Sequence, residues 1–241
     1  MIIQRIVSAI DPHAGEHIVE IGPGLGALTR PLLRAVGQLD VVELDRDVIP
    51  ILQEACEGYG ELRVHNYDVL KFDFTSIDTD QKLRVVGNLP YNISTPLIFH
   101  LIKQLDAICD MHFMLQKEVA ERLVAAPATE HYGRLSVMVQ WRCAAELLFT
   151  VGPGAFRPAP KVDSAIVRIT PHYQPPIHVD DENIFAAVVS QAFSQRRKTL
   201  RNTLKGFFTK EDLESLDIDP MRRPETLSLT EFARLSNAVK N

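Results

Sequence analysis

From residue 17 to residue 36 the chain passes from a buried-strand pattern, His17-Ile18-Val19-Glu20-Ile21, through a turn with glycines at 22, 24 and 26, into helical apolar spacing over 27–36. Few chain paths satisfy that order. Glycines on alternate positions let the backbone approach a ligand closely, and the first turn of a helix donates N–H groups that lack intrahelical partners. The rest of the chain repeats the alternation. Helical spacing over 2–10 precedes it, and strand-like runs at 38–44, 62–65, 83–87 and 111–115 are interleaved with helical stretches such as 48–57. This predicts a doubly wound α/β domain on a mainly parallel sheet.

The pattern then changes. Residues 135–149 and 164–169 read as strands without long helices between them, so the end of the sheet is expected to be antiparallel. Thr170-Pro171-His172-Tyr173-Gln174-Pro175-Pro176 breaks the chain, which places a first domain at 1–171 and a second at 177–241. In the second, Ile184, Val188, Ala192, Leu200 and Leu204, then Leu213 and Leu216, then Leu229, Phe232 and Leu235 have helical spacing. Ser228-x-x-Glu231 is a capping box, and the tail is expected to be a small all-helical domain.

A chain of 241 residues accommodates both domains. Its net charge of −5 excludes a wholly basic nucleic-acid binder, so any such contact must come from a local patch. The sequence has neither an apolar run of membrane-spanning length nor a leader-like start, and a cytoplasmic protein is expected. Cys56, Cys109 and Cys143 lack metal-site spacing and are expected to be reduced, packed thiols. The histidines are likewise scattered, and no metal is expected.

The glycine turn alone is weak, because its G-x-G-x-G pattern differs from the G-x-G-x-x-G of dinucleotide binders and a purely structural turn uses the same residues. Glu43 strengthens it. This residue ends the next strand, seventeen positions past Gly26, where an acidic side chain accepts both hydroxyls of a ribose. Glu20, near the end of the first strand, opposes a pyrophosphate and suits a sulfonium with an α-ammonium group, favouring S-adenosylmethionine over NAD. Asp68, just after the third strand, either accepts from an adenine amino group or caps a turn.

Asn88-Leu89-Pro90-Tyr91 follows a strand on the edge where open α/β sheets bind ligands. An exocyclic adenine amine has its lone pair delocalised into the ring and must be held before it attacks a methyl group. The Asn88 carbonyl and a neighbouring backbone carbonyl, constrained by Pro90, can accept both N–H groups and stabilise the charge that grows on nitrogen. No general base is then essential, since the methylated ammonium is strongly acidic. Tyr91 is either a packed aromatic or a face on which an extruded base stacks. Arg196, Arg197, Lys198, Arg201 and Lys205 place five cations in ten residues, and at helical spacing Arg197, Arg201 and Lys205 share a face. Such a run is either a solvated surface or a phosphate-tracking face.

EIGPGLG, VVELD, NYD, GNLPYNIS, MLQKEVAERLVA, YGRLSV, FRPAPKVDSAIVR and AFSQRRKTLRNTL stand in this order nearly end to end. Together they resemble the consecutive motifs of the ribosomal RNA adenine dimethyltransferases, specifically the bacterial small-subunit members. The resemblance implies a Rossmann-like, S-adenosylmethionine-dependent methyltransferase domain with a small C-terminal all-helical domain. It implies transfer of two methyl groups to N6 of each of two adjacent adenosines in a hairpin loop near the 3′ end of small-subunit ribosomal RNA, late in subunit assembly. By position, Glu20, Gly22, Gly24, Gly26, Glu43, Asp68, Val69 and Asn88 are then the cofactor-binding set. Asn88, Leu89, Pro90 and Tyr91 hold the target, and Phe156, otherwise a loop anchor, is the second aromatic of a base sandwich. Arg157 and Lys161 flank it to meet phosphates, with Arg196, Arg197, Lys198, Arg201 and Lys205 contacting RNA. The expected partner is small-subunit RNA within a pre-assembled subunit, bound by a monomer.

Family members carry a basic N-terminal segment ending in a G-Q-N/H-F-L-like motif that folds over the cofactor. The sequence from Met1 starts after it, which leaves either a truncation or a weaker cofactor grip as the expectation. Two rival readings stay open: a large-subunit adenine methyltransferase, and an assembly-binding factor with weak or lost chemistry. FRPAPKVDSAIVR and QRRKTLRNTL favour the small subunit, and an intact 88–91 favours an enzyme.

Overall fold

The computed structural model describes residues 2–155, 162–195 and 197–239. Its first unit, 1–120 with 145–171, is built on a seven-stranded sheet of order β3-β2-β1-β4-β5-β7-β6. The elements run α1 (Ile2–Ile10), β1 (Ile18–Ile21), α2 (Thr29–Val36), β2 (Gln38–Val42), α3 (Val48–Cys56), β3 (Glu61–His65), β4 (Leu83–Asn88), α4 (Ser94–Ile102) and β5 (Ile108–Gln116). Next come α5 (Lys117–Val124), α6 (Arg134–Arg142), β6 (Cys143–Val151) and β7 (Ser164–Pro171). The first five strands pair in parallel, and β7 pairs antiparallel with β5, as the change of pattern predicts.

All four residues of β1 are buried, which is why it reads as a continuous apolar run with one acidic interruption. Ile6 and Ile10 of α1, Leu32, Leu33 and Val36 of α2, and Leu52 and Cys56 of α3 form one core cluster with Ile18, Leu39, Val41 and Val86 of the strands. Asp40, only 2 % exposed, lies in β2 between two histidines. Its Oδ2 is 2.7 Å from His17 Nε2 and its Oδ1 is 2.5 Å from His65 Nε2, which ties β2 to its neighbours on both sides. A buried carboxylate needs such partners.

The second unit comprises 121–144 and 172–241. Its later helices are α7 (Glu182–Ala192), α8 (Leu200–Thr203), α9 (Lys210–Ser215) and α10 (Leu229–Asn237). Ser228 accepts from Glu231 N while the Glu231 carboxylate accepts from Ser228 N at 2.8 Å, so the capping box starts α10 as read. The core joins Phe185, Val188, Val189 and Ala192 of α7 to Phe232 and Leu235 of α10, and to Tyr132, Val137 and Trp141.

Those last three residues explain two differences from the sequence reading. Residues 134–142 are helical, and only 143–149 of the expected 135–149 strand region is strand, β6 running on to Val151. Leu135, Val137, Val139 and Trp141 alternate like a strand, but α6 also buries Ser136 and puts the apolar Met138 on its partly exposed row with Arg134 and Arg142, so polar and apolar residues do not separate at a helical period. The apolar side chains of this excursion complete the helical core, so 121–144 lies in the second unit although no Pro- or Gly-rich break sets it off. Cys56 and Cys143 are buried as expected; Cys109, on β5, is exposed.

Candidate active site

The strand registers bring the candidate residues of the first unit to one edge. His65 pairs with Val42, Val42 with Ile21, Ile21 with Gly87, and Gly87 with Phe113, which forms a straight row across five strands. One residue beyond that row stand Asn66, Glu43, Gly22, Asn88 and Met114. The chain leaves β1 for β2 and β3, then returns to β4 on the other side of β1. The order therefore reverses between Gly22 and Asn88, at the position where open α/β sheets form a crevice.

Gly22 and Gly24 have φ of +63° and +53°, a left-handed geometry that costs most other residues energy, and no atom lies within 4 Å of where a Cβ would sit on either. Gly26 closes the turn by donating its N–H to Pro23 O at 3.1 Å, and α2 begins at Thr29 with no side-chain cap. The first turn has no side-chain cap, Arg30 N donates to Gly26 O at 3.2 Å, and Gly22 and Gly24 keep the loop backbone clear of side chains at those two positions.

Glu20 lies under this loop, 2 % exposed, and its Oε2 has no hydrogen-bond partner among the described residues. Burial pushes its pKa up from 4.5 to about 7, and the Glu43 charge adds to the rise. The buried Thr29 hydroxyl tempers the shift but forms no hydrogen bond of ordinary geometry. A buried carboxylate with one oxygen unpartnered, two residues before Gly22, is suited to a cationic ligand, and this site chemistry fits S-adenosylmethionine.

Glu43 is half-buried, and its Oε1 accepts from Asp45 N at 2.9 Å. Asp68 caps a 3-10 turn at Val69–Lys71 through Oδ1, which accepts from Leu70 N at 3.0 Å, while Oδ2 is 4.0 Å from Lys71 Nζ. The capping reading of Asp68 is realised. Among the described residues its second oxygen faces only that lysine ammonium, which is itself exposed, and Val69 beside it is buried.

Asn88 is exposed at the end of β4, and its side chain makes no hydrogen bond among the described residues. Leu89 is buried, and its N–H donates to Met114 O at 3.1 Å. Pro90 O accepts from Ile93 N at 3.1 Å, and Tyr91 O accepts from Ser94 Oγ at 3.2 Å. Among the described residues the Leu89 carbonyl accepts no hydrogen bond outside the strand ladders. Tyr91 is 38 % exposed, with its hydroxyl 3.2 Å from the Oγ of Ser164, a fully buried residue at the start of β7. It is neither packed away nor loose, because its hydroxyl is tethered while over a third of the residue is exposed. Ser94 and Ser164, which hold the turn, were missed in the sequence; nothing local marks a serine that anchors a distant tyrosine.

Phe156, Arg157, Lys161 and Arg196 lie outside the described residues. Arg197, Lys198, Arg201 and Lys205 are exposed in the second unit. They do not form the expected continuous helical face, because α8 covers only Leu200–Thr203 and starts at Thr199 with an extended backbone. Arg197 and Lys205 therefore lie outside the helix. The four cations are carried by two turns and one helical turn.

Comparison with known proteins adds a separate line of support. Residues 1–241 match the family described as Ribosomal RNA adenine dimethylase. The Ribosomal RNA small subunit methyltransferase A of Marinomonas sp. (strain MWYL1) is 57 % identical over 239 residues, covering 99 % of this chain and 90 % of that protein. The protein of that name from Pseudomonas aeruginosa is 56 % identical, covering 99 % and 89 %. Among solved structures, a dimethyladenosine transferase from Plasmodium falciparum superposes with a TM-score of 0.82 at 28 % identity, covering 97 % of this chain and 93 % of that one.

Proposed function

Because the chain belongs to the ribosomal RNA adenine dimethylase family, an S-adenosylmethionine-dependent methyltransferase of ribosomal RNA, we propose that its substrate is the small subunit. In this reading it converts two adjacent adenosines, in a hairpin loop near the 3′ end of small-subunit RNA, to N6,N6-dimethyladenosine. It acts in the cytoplasm, as a monomer, on a pre-assembled subunit. The relatives' names support the small-subunit assignment, and no helix among the described residues is long and apolar enough to cross a membrane.

The observation that carries the mechanism is the aligned strand edge, which sets Gly22, Glu43 and Asn88 one residue past a common row. Glu43 accepts from the ribose hydroxyls, Asp68 Oδ2 from the adenine amino group, and Val69 packs beside the base. Gly22, Gly24 and Gly26 let the backbone approach, and Glu20 places its charge beneath the positive end of the ligand. Bound S-adenosylmethionine supplies an electrophilic methyl group.

Asn88 Oδ1 and the Leu89 carbonyl accept the two N–H groups of the target amine, which turns its lone pair out of conjugation and toward the methyl group. The same two oxygens stabilise the charge on nitrogen as the bond forms. The surplus proton then leaves to solvent, so the site needs no dedicated base. Tyr91 stacks on the base with its edge fixed by Ser164, and Phe156 is assigned to the opposite face. Arg157, Lys161, Arg196, Arg197, Lys198, Arg201 and Lys205 are assigned to phosphates.

The test is transfer of labelled methyl groups from S-adenosylmethionine to unmethylated small subunits, followed by nucleoside analysis, for the parent chain and Asn88→Ala. Dimethyladenosine from the parent, with a variant that folds and binds subunits but yields none, is expected. Unchanged turnover in Asn88→Ala refutes the mechanism. A parent that binds subunits without methylating them moves the assembly-factor reading to first place.

A further inference from the structure

Asn66 makes three hydrogen bonds from one exposed side chain. Its Nδ2 donates to Glu43 O at 2.8 Å and Leu44 O at 3.2 Å, and its Oδ1 accepts from Arg46 Nε at 3.0 Å. These bonds are not needed to hold β3 against β2. The ladder from Gln38 to Val42 does that, and the Asp40–His65 contact reinforces it. Asn66 acts just past the ladder. There Glu43 N donates to His65 O at 3.0 Å, and the next carbonyls of the loop have left the sheet.

Glu43 depends on that loop. Its carboxylate is held by Asp45 N, two residues on, so the carboxylate direction follows the backbone path from 43 to 45. A side chain that clamps both Glu43 O and Leu44 O fixes that path before any ligand arrives. We propose that Asn66 is a positioning residue for ribose recognition, holding the Glu43 carboxylate toward the ribose hydroxyls without touching the cofactor itself. The inference rests on the assignment of Glu43 to the ribose.

A purely structural role and a positioning role differ in what they do to two ligands. Isothermal titration with S-adenosylhomocysteine and its 2′,3′-dideoxy analogue reads the preference for the hydroxyls without requiring methyl transfer. The parent is expected to favour the ribo ligand by about tenfold, the worth of a hydrogen bond to a charged group. Asn66→Ala cuts that preference to about threefold or less through weaker binding of the ribo ligand, and leaves the dideoxy ligand within about twofold. Asn66→Asp, of the same shape but without the donors, gives the same loss. In a Glu43→Ala background neither substitution changes anything further.

Equal weakening of both ligands by Asn66→Ala, or a preference retained in both variants, overturns the assignment of Asn66. A parent that does not discriminate between the two ligands overturns the ribose role of Glu43, and the positioning role falls with it.

Discussion

Replacing Glu20 with Gln should stabilise the ligand-free protein at alkaline pH, although it removes a functional group. The folded chain holds the Glu20 proton up to about pH 7, against 4.5 for the same carboxyl in water. Below 4.5 both folded and unfolded chains are protonated, and the residue contributes no pH dependence. Between these limits the unfolded chain releases its proton and the folded chain does not, so stability falls as pH rises, by about 1.4 kcal/mol per unit. Above 7 the full cost, about 3 kcal/mol, is present. Gln has no proton to lose and keeps the neutral shape. The difference in unfolding free energy, Gln variant minus parent, should therefore rise by about 2–3 kcal/mol from about pH 5 to about pH 8. Urea denaturation of both proteins across that range measures it, and groups that titrate alike in both cancel. A difference that is flat with pH would refute the reasoning, because it would mean that Glu20 is solvated or partnered in the folded state. The same substitution should weaken S-adenosylhomocysteine binding, so stability and affinity move in opposite directions.

Tyr91→Ala should lower kcat/KM for subunit methylation by about one to two orders of magnitude, the loss of a base stack worth about 1–3 kcal/mol. Tyr91→Phe, which gives up only the contact with Ser164, should stay within about tenfold of the parent; a Phe variant as poor as Ala would mean that the hydroxyl, not the ring, matters. Gly87→Ala places a Cβ 2.6 Å from the Ile21 carbonyl oxygen, where backbone meets backbone. It should cost about 1–3 kcal/mol in urea denaturation and separate the strand ends that carry Gly22 and Asn88. A parent-like midpoint would show that the two strands can part without cost.

The order of strands and helices was legible because each buried strand and each helix of the first unit has its own apolar period, with glycine or acidic residues at the junctions. Glu20, Glu43 and Asn88 were legible for a related reason: chemistry in an open α/β sheet gathers at carboxyl ends, and those ends are marked by where apolar runs stop. Asn66 was not. Its partners lie twenty or more positions upstream and become neighbours only through the β2–β3 register. Residues 134–142 were misread because the helix buries Ser136 and leaves Met138 on its partly exposed row, which blurs its polar face, and Val and Trp in alternation favour the wrong period. The charged run at 197–205 failed differently. Its spacing suits a helix, but Thr199 interrupts it, and local spacing cannot register a break imposed by tertiary packing.

The interleaving of the two units sets a timetable for synthesis. Trp141, whose ring is 4.7 Å from that of Phe185 in the finished core, leaves the peptidyl-transferase centre forty-four residues before its partner does. At about 5–20 residues per second that is a wait of several seconds, during which Val137 and Trp141 have no core to enter. Phe232 and Leu235 come later still. The sheet strands up to β5 are already made by then. The helical unit therefore completes only when the last tenth of the chain is out, and a nascent chain stalled between these points presents bare aromatic surface that chaperones would have to cover.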